Sequence, residues 1–414
     1  MKKKCLIIIS LVIFGSLCLL NFKLNNGSTK NIIGVYVNDE YSDNVPAKYS
    51  GYYVDKIECD SGSSGEWDYI SWGLLTTNMS KKSKCNVYFR KDTVVEAIKN
   101  ELDTTGKCPT VNSDGTVNVT GAESENSLLC KAPDNYGTSY YYRGNVQNNY
   151  VYFANFYWRI VRINGDGSIR MIYDGTSAHE NGEASGDRII GNSAFNEKID
   201  DNAYVGYMYG TPGSLTYEET HANINDSTIK KYIDKWYEEK IVVSGNSNYV
   251  ADSYFCNDRR LTTLSATDYY NDLGYGANSS RYYLFDFQDS WSSKDLINLQ
   301  CFVNRDTFTV NDKKIGNATL KYPIALTNIS EVVLAGGYGI ENNKYFFYIG
   351  GFYWTMSPSF INNNRTLIYG VYDNGRSAHA HYADDVRGVK PVINLKQGSL
   401  KSDNGTINNP YRIN

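Results

Sequence analysis

The chain has 414 residues, room for two or three domains, and its 41% hydrophobic and 21% charged residues can fill a sizeable core, which excludes global disorder. Lys and Arg number 41 against 45 Asp and Glu, with no basic patch, so no nucleic-acid partner is expected. No run of about twenty apolar residues occurs after the N-terminus, which excludes a polytopic membrane protein. The 37 tyrosines, set among Asn, Gly and Ser, are the composition of β-rich recognition surfaces.

Lys2, Lys3 and Lys4 precede an apolar run over residues 5–22, from Cys5 to Phe22. The run lies near the lower limit for a bilayer span and exceeds a usual signal-peptide core. It predicts one N-terminal transmembrane helix, with the membrane as partner through residues 5–22. The lysines stay inside, so the bulk of the chain is expected to be extracytoplasmic at the cell membrane. A cleaved signal and a secreted product is the alternative, with Asn25, Asn26, Gly27 and Ser28 as a weak cleavage site.

Cys5 and Cys18 lie in this run; six cysteines remain outside, an even number in an oxidising compartment. Each neighbouring pair brackets a segment with its own strand and turn signals. The expected disulfides are Cys59–Cys85, Cys108–Cys130 and Cys256–Cys301. The short C-x-x-C spacing of a zinc site is absent.

Residues 23–30 read as a polar linker. Residues 31–90 alternate over short strands and predict a small all-β, sandwich-like module with Trp67 and Trp72 in its core and a loop over 61–65. Residues 91–135 form a helix capped by Asp92, with Val94, Val95, Ile98 and Leu102 on one side, and a disulfide-held connector. Residues 136–414 form the main domain. Tyr150–Phe153, Phe156–Ile163 and Ser168–Tyr173 predict a three-stranded meander, its last two strands joined by the hairpin turn Asn164–Gly167. The second half of Phe156–Ile163 alternates apolar and basic residues. Asp226 is the expected cap of a helix running to about Lys240, with Ile229, Tyr232, Ile233, Trp236 and Tyr237 on one apolar stripe. A short helix over 330–335 stops at Gly336 and Gly337. Strands are expected at 345–348, 352–355, 366–369 and 388–395.

Three stretches carry a resemblance: Tyr141–Phe153 continuing through Phe156–Ile160 and Asn164–Ile172; Tyr353–Pro358; and Arg387–Leu395, followed by Asn404–Thr406 and Asn409–Tyr411. They resemble a group of exported proteins of low-GC Gram-positive gut bacteria with a C-terminal domain of unknown function, number 6273. That domain is similar to the formylglycine-generating-enzyme and C-type-lectin-like fold. The resemblance covers about residues 136–414. It implies an α+β fold class, with a C-type-lectin-like or sulfatase-modifying-factor-like domain whose first and last strands pair and whose irregular region presents a binding face. It does not imply catalysis, because the enzymes use a reactive cysteine pair with copper near the C-terminus and no cysteine follows Cys301.

The stretch Tyr353–Arg387 is expected to be that face, a polar and aromatic loop surface framed by the Trp354 strand and the strand Val389–Leu395. Candidate binding residues are Trp354, Tyr369, Tyr372, Asn374, His379, His381 and Tyr382, which offer contact area and adaptable hydrogen bonds to a glycan or protein ligand. No catalytic residue is assigned. His379 and His381 would share one strand face and could meet one metal, but no third ligand is identifiable, since His179 and His221 stand alone in loops. No cofactor is expected. Calcium is the one ion considered, through Asp258 and Asp306; the competing reading is an Arg–Asp network that orders loops. The function this supports is non-enzymatic ligand binding at the cell surface. The alternatives are a formylglycine-generating-type or metal-dependent enzyme, or a purely structural envelope protein.

Overall fold

The computed structural model describes residues 32–79, 83–261, 279–281, 297–337, 341–362, 365–375, 377–401 and 403–413. The apolar run at 5–22 and the linker at 23–30 lie outside the described residues. Among the described residues no helix is long and apolar enough to cross a membrane. Of the described residues, strand accounts for 36% and helix for 14%. The described chain is therefore mostly β, which corrects the expected α+β, C-type-lectin-like class; the transmembrane helix expected over 5–22 falls outside the described residues. Among the described residues the longest helix is Thr228–Tyr237, ten residues, and the stretch expected as an irregular loop, 353–387, contains three hydrogen-bonded strands.

The N-terminal module is a four-stranded sheet in the order Glu40–Ser42, Ile32–Val37, Lys84–Lys91, Tyr52–Cys59. The expected 61–65 loop holds over residues 61–63, and the hairpin Ser64–Asp68/Gly73–Thr77 follows it. Trp67 is buried with Val87 and Phe89 in a separate apolar cluster, edge-on to Phe89 at 5.1 Å and to Trp72 at 5.4 Å. Cys59 stands opposite Cys85 in register and bonds to it. Cys108–Cys130 and Cys256–Cys301 are the other disulfides.

Asp92 caps the helix Thr93–Lys99, accepting from the Val95 N–H, and its second oxygen accepts from the Gly398 N–H at 2.6 Å. That helix buries Val94, Val95 and Ile98 in the main core, and Leu128–Asp134 pairs with Gly137–Arg143 as part of the large sheet. The 91–135 segment thus packs into the body that was expected to begin at 136.

The large sheet has eight strands. Ile324–Leu326, Pro391–Leu395, Ile169–Gly175, Phe156–Ile163, Gly137–Arg143 and Leu128–Asp134 follow one another; Tyr150–Phe153 joins Phe156–Ile163 and Tyr411–Arg412. The meander forms as expected, with the turn closed by Gly167 N–H to Asn164 C=O. Ser227, not Asp226, caps Thr228–Tyr237; Asp226 instead pairs with the buried Lys230 ammonium at 3.1 Å. Ile229, Ile233 and Tyr237 are buried in the core. Residues 345–348 form turns rather than a strand, although Tyr345, Phe346 and Phe347 are fully buried.

The basic half of Phe156–Ile163 does not face water. Arg159, Arg162 and Arg170 are buried, each beside acidic side chains. Asp174 is surrounded by three cations: Arg188 donates at 2.8 Å, Lys390 at 2.9 Å, and Arg159 lies at 3.7 Å, all with fully buried side chains. Burial raises the Asp174 pKa, but Arg188, Lys390 and Arg159 together overcome it, so the carboxyl stays below its ordinary value. Burial lowers the Lys390 pKa to about 8 against the pull of Asp174. Glu331 forms a second centre. It ion-pairs with Arg162 at 3.2 Å and with Arg170, and completes the capping box of the helix Ile329–Leu334. Arg143 donates to the last carbonyls of that helix, Val333 and Leu334.

Two outcomes follow for the buried charges. Asp174→Asn leaves three buried cations around a neutral amide and should cost about 3–5 kcal/mol in a urea melt. Between about pH 8 and the ordinary lysine value of 10.5, the unfolded chain binds a proton that native Lys390 does not. Stability should therefore rise with pH over that window relative to Lys390→Met, and fall back below it as the buried ammonium is restored. Denaturant melts of both proteins at about pH 7.5 and 9.5 check this; parallel pH curves would refute it.

Candidate functional site

Tyr353–Asn362, Arg365–Val371 and Ser377–Tyr382 form an antiparallel meander within a six-stranded sheet, joined along Tyr353–Asn362 by Arg387–Gly388. Apolar and aromatic side chains of this sheet reach the core on both sides of the strand. Tyr353 and Trp354 are consecutive and both fully buried. Tyr353 donates its hydroxyl to Phe347 C=O at 2.8 Å, and Trp354 donates Nε1–H to Ser193 C=O at 2.9 Å. Tyr369 is also fully buried, and the Thr355 hydroxyl donates to its carbonyl at 2.7 Å. Trp354 and Tyr369 are therefore framework, which corrects their assignment to an exposed face. Aromatic content alone does not separate a stacking platform from a core.

The remaining candidates divide. His381 and Tyr372 come together. Asn374 sits at the turn before Ser377 and donates to Glu341 at 3.1 Å. Tyr382 points away from His381, as strand alternation requires, and the Arg365 guanidinium lies 3.9 Å from its ring centroid. The His379 backbone is placed opposite Gly370; its side chain lies outside the described residues.

Three residues absent from the candidate set complete the group around His381: Phe352, Asp385 and Arg387. Phe352 lies across the Gly370 backbone, where a Cβ would come within 2.2 Å of the ring, so glycine is what admits it. The His381 ring meets Phe352 at 4.4 Å and Tyr372 at 5.4 Å, and the Arg387 guanidinium is 5.2 Å from the Phe352 centroid. His381 Nε2 bonds the Tyr372 hydroxyl at 2.9 Å, and Nδ1 faces Asp385 at 3.0 Å and Arg387 at 3.2 Å. With its proton on Nδ1, neutral His381 donates to Asp385 and accepts from Tyr372; as imidazolium it donates to both. The spacing His381–Asp385, with Arg387 two residues on, was the signal in the sequence.

These side chains are reachable: His381 is 19% exposed, Asp385 33% and Arg387 37%. They present an aromatic edge, a hydroxyl, an imidazole, a carboxylate and a guanidinium within one half-buried surface. Such a set can bind a hydroxyl-rich or mixed-charge ligand, and the hydroxyl–imidazole–carboxylate chain can pass a proton.

Among the described residues no three His, Cys, Asp or Glu side chains converge as a metal centre. The acids considered for calcium are held by arginines: Asp306 by Arg259, with Nε at 2.7 Å, and Asp258 by Arg260 at 2.6 Å. The loop-ordering Arg–Asp network is what forms beside Cys256–Cys301. His179 does not stand alone, since Glu183 at 2.8 Å and Asp187 at 2.7 Å flank it. His221 is fully buried.

Trp354→Ala should cost about 3–5 kcal/mol in a urea melt, as a large buried ring leaves a cavity. Tyr372→Phe should cost about 1 kcal/mol or less, because it removes one half-exposed hydrogen bond and no ring. Equal losses would contradict the division between framework and face. No protein-family model, no curated protein and no solved structure matches this chain.

Proposed function

We propose that the protein is exported and works outside the cytoplasm as a non-enzymatic recognition protein, attached to the membrane through residues 5–22 or secreted. Its ligand, a glycan or a surface of another protein, docks over Phe352, Tyr372, His381, Asp385 and Arg387. The observation that carries this reading is the cluster itself: polar groups of several kinds around one ring, half-buried, with His381 and Arg387 on strands and Phe352, Tyr372 and Asp385 at strand ends and in the adjoining turn. The three disulfides support an oxidising compartment. The motif resemblance to exported proteins with the number-6273 domain agrees with both points. The non-enzymatic reading rests on the departure from the enzymes' reactive cysteine pair: the last cysteine, Cys301, is closed in a disulfide.

A glycan array and a panel of extracellular host proteins, probed with the purified protein, test the reading. A ligand found there should bind about 5–30-fold more weakly to Tyr372→Ala and to His381→Ala, the loss expected when a 1–2 kcal/mol contact is removed. The melting temperature of each variant should stay within a few degrees of the parent. Parent-like binding by both variants would move the ligand face elsewhere.

A further inference from the structure

A second place in the fold has the character of a site and is independent of the Phe352 cluster. A cavity of about 320 Å³ opens where the turn between Tyr150–Phe153 and Phe156–Ile163 meets the C-terminal strand Tyr411–Arg412. Its volume falls within the range of small-ligand pockets. Tyr152, Asn155, Asn246, Lys401 and Arg412 line it, and its lining contains no carboxylate side chain.

Backbone pairing fixes these residues. Arg412 stands in register with Tyr152, and the Lys401 N–H donates to the Arg412 carbonyl at 2.8 Å. Ala154 and Asn155 turn the chain with φ of 53° and 66°, a left-handed conformation that side chains other than glycine rarely adopt. The two-residue hairpin turn between the paired Phe153 and Phe156 requires that conformation.

The charges set the ligand chemistry. Some exposed cations have acidic partners, as Lys56 has Glu58, Arg90 has Asp39 and Asp55, and Lys321 has Glu238, while others, such as Lys131, Lys231 and Lys313, form no ion pair among the described residues. Lys401 and Arg412 form no ion pair among the described residues. The Arg412 guanidinium instead lies 5.2 Å from the Tyr152 centroid, which holds it by its face and leaves its N–H fork open. Beside the two cations stand two side-chain amides, which both donate and accept. A carboxylate or sulfate satisfies the first pair, and ring hydroxyls satisfy the second.

We propose that this cleft is a second binding site, for an acidic saccharide. Lys401 and Arg412 hold the anionic group; Asn155 and Asn246 hold neighbouring hydroxyls. The anion comes from a uronic acid or from a sulfate ester, and the probes separate the two.

The full chain is titrated by calorimetry with an oligogalacturonate, a heparin-derived oligosaccharide, maltotriose and inorganic sulfate. At least one acidic oligosaccharide should bind, more tightly than maltotriose and inorganic sulfate by about tenfold or more, and its affinity should fall as salt rises. Binding of the oligogalacturonate alone names the uronate as the source, and binding of the heparin fragment alone names the sulfate. The double variant Lys401→Ser/Arg412→Gln should lose about tenfold or more in affinity with its melting temperature within a few degrees of the parent. Lys401→Arg should retain binding, and Tyr372→Ala should bind as the parent does, which separates this site from the Phe352 cluster. The proposal is overturned if neither acidic oligosaccharide binds, if maltotriose or inorganic sulfate binds as well as they do, or if the double variant binds like the parent.

Discussion

The buried carboxylate of Asp174 is the point on which the architecture converges. Its three cations come from different parts of the chain: Arg159 from the meander, Arg188 from the turn after it, and Lys390 from the closing segment, 216 residues away. One negative charge does not balance three positive ones in a medium that solvates charge poorly. The remainder is met by oriented dipoles and a ring. Arg159 donates to Asn149, Asn181 and the Val146 carbonyl and lies 3.7 Å from the Tyr150 centroid; Arg188 donates to the Glu183 carbonyl. A network drawn from such distant segments can form only when they stand in one register. Its contribution is therefore to the uniqueness of the fold as much as to stability.

Glu331 repeats the device at a helix. The same carboxylate caps Ile329–Leu334 and receives Arg162 and Arg170 from adjacent strands. The helix is thereby tied at its first turn to the charged side of the sheet, while Arg143 ties its last turn to Gly137–Arg143. Both ends of a helix too short to be stable alone are held by the sheet.

The candidate face depends on the same closing segment. Arg387 reaches Phe352 and His381, while Lys390, three residues on, reaches Asp174. Between them, the Gly388 N–H donates to the Phe352 carbonyl at 3.1 Å. Four residues thus link a half-exposed polar cluster to the deepest ion pair of the core. The ring, imidazole and guanidinium are consequently presented on a rigid support, the condition under which weak polar contacts give specific binding.

Local chemistry determined what the sequence made legible. Strand alternation and an Asn–Gly turn give the meander, because both depend only on neighbouring residues. The helix cap at Asp92 is local for the same reason, and the disulfide pairs followed from the segments that neighbouring cysteines bracket. The amount of helix was not legible. Ser377–Tyr382, taken for part of a loop, is a strand beside Arg365–Val371, and its pairing energy appears only once that partner is in place. Nor could periodicity tell that Trp354 and Tyr369 are buried, since a sheet covered on both faces buries consecutive residues and erases the alternation that marks an exposed side. The sequence by itself made legible the local turns, the Asp92 cap and the meander, and it favoured pairing of neighbouring cysteines. Tertiary structure alone decided which aromatics became core, and that the basic residues of the central strands face Asp174 and Glu331 rather than water. Those outcomes depend on contacts between residues far apart in the chain, which no local pattern encodes.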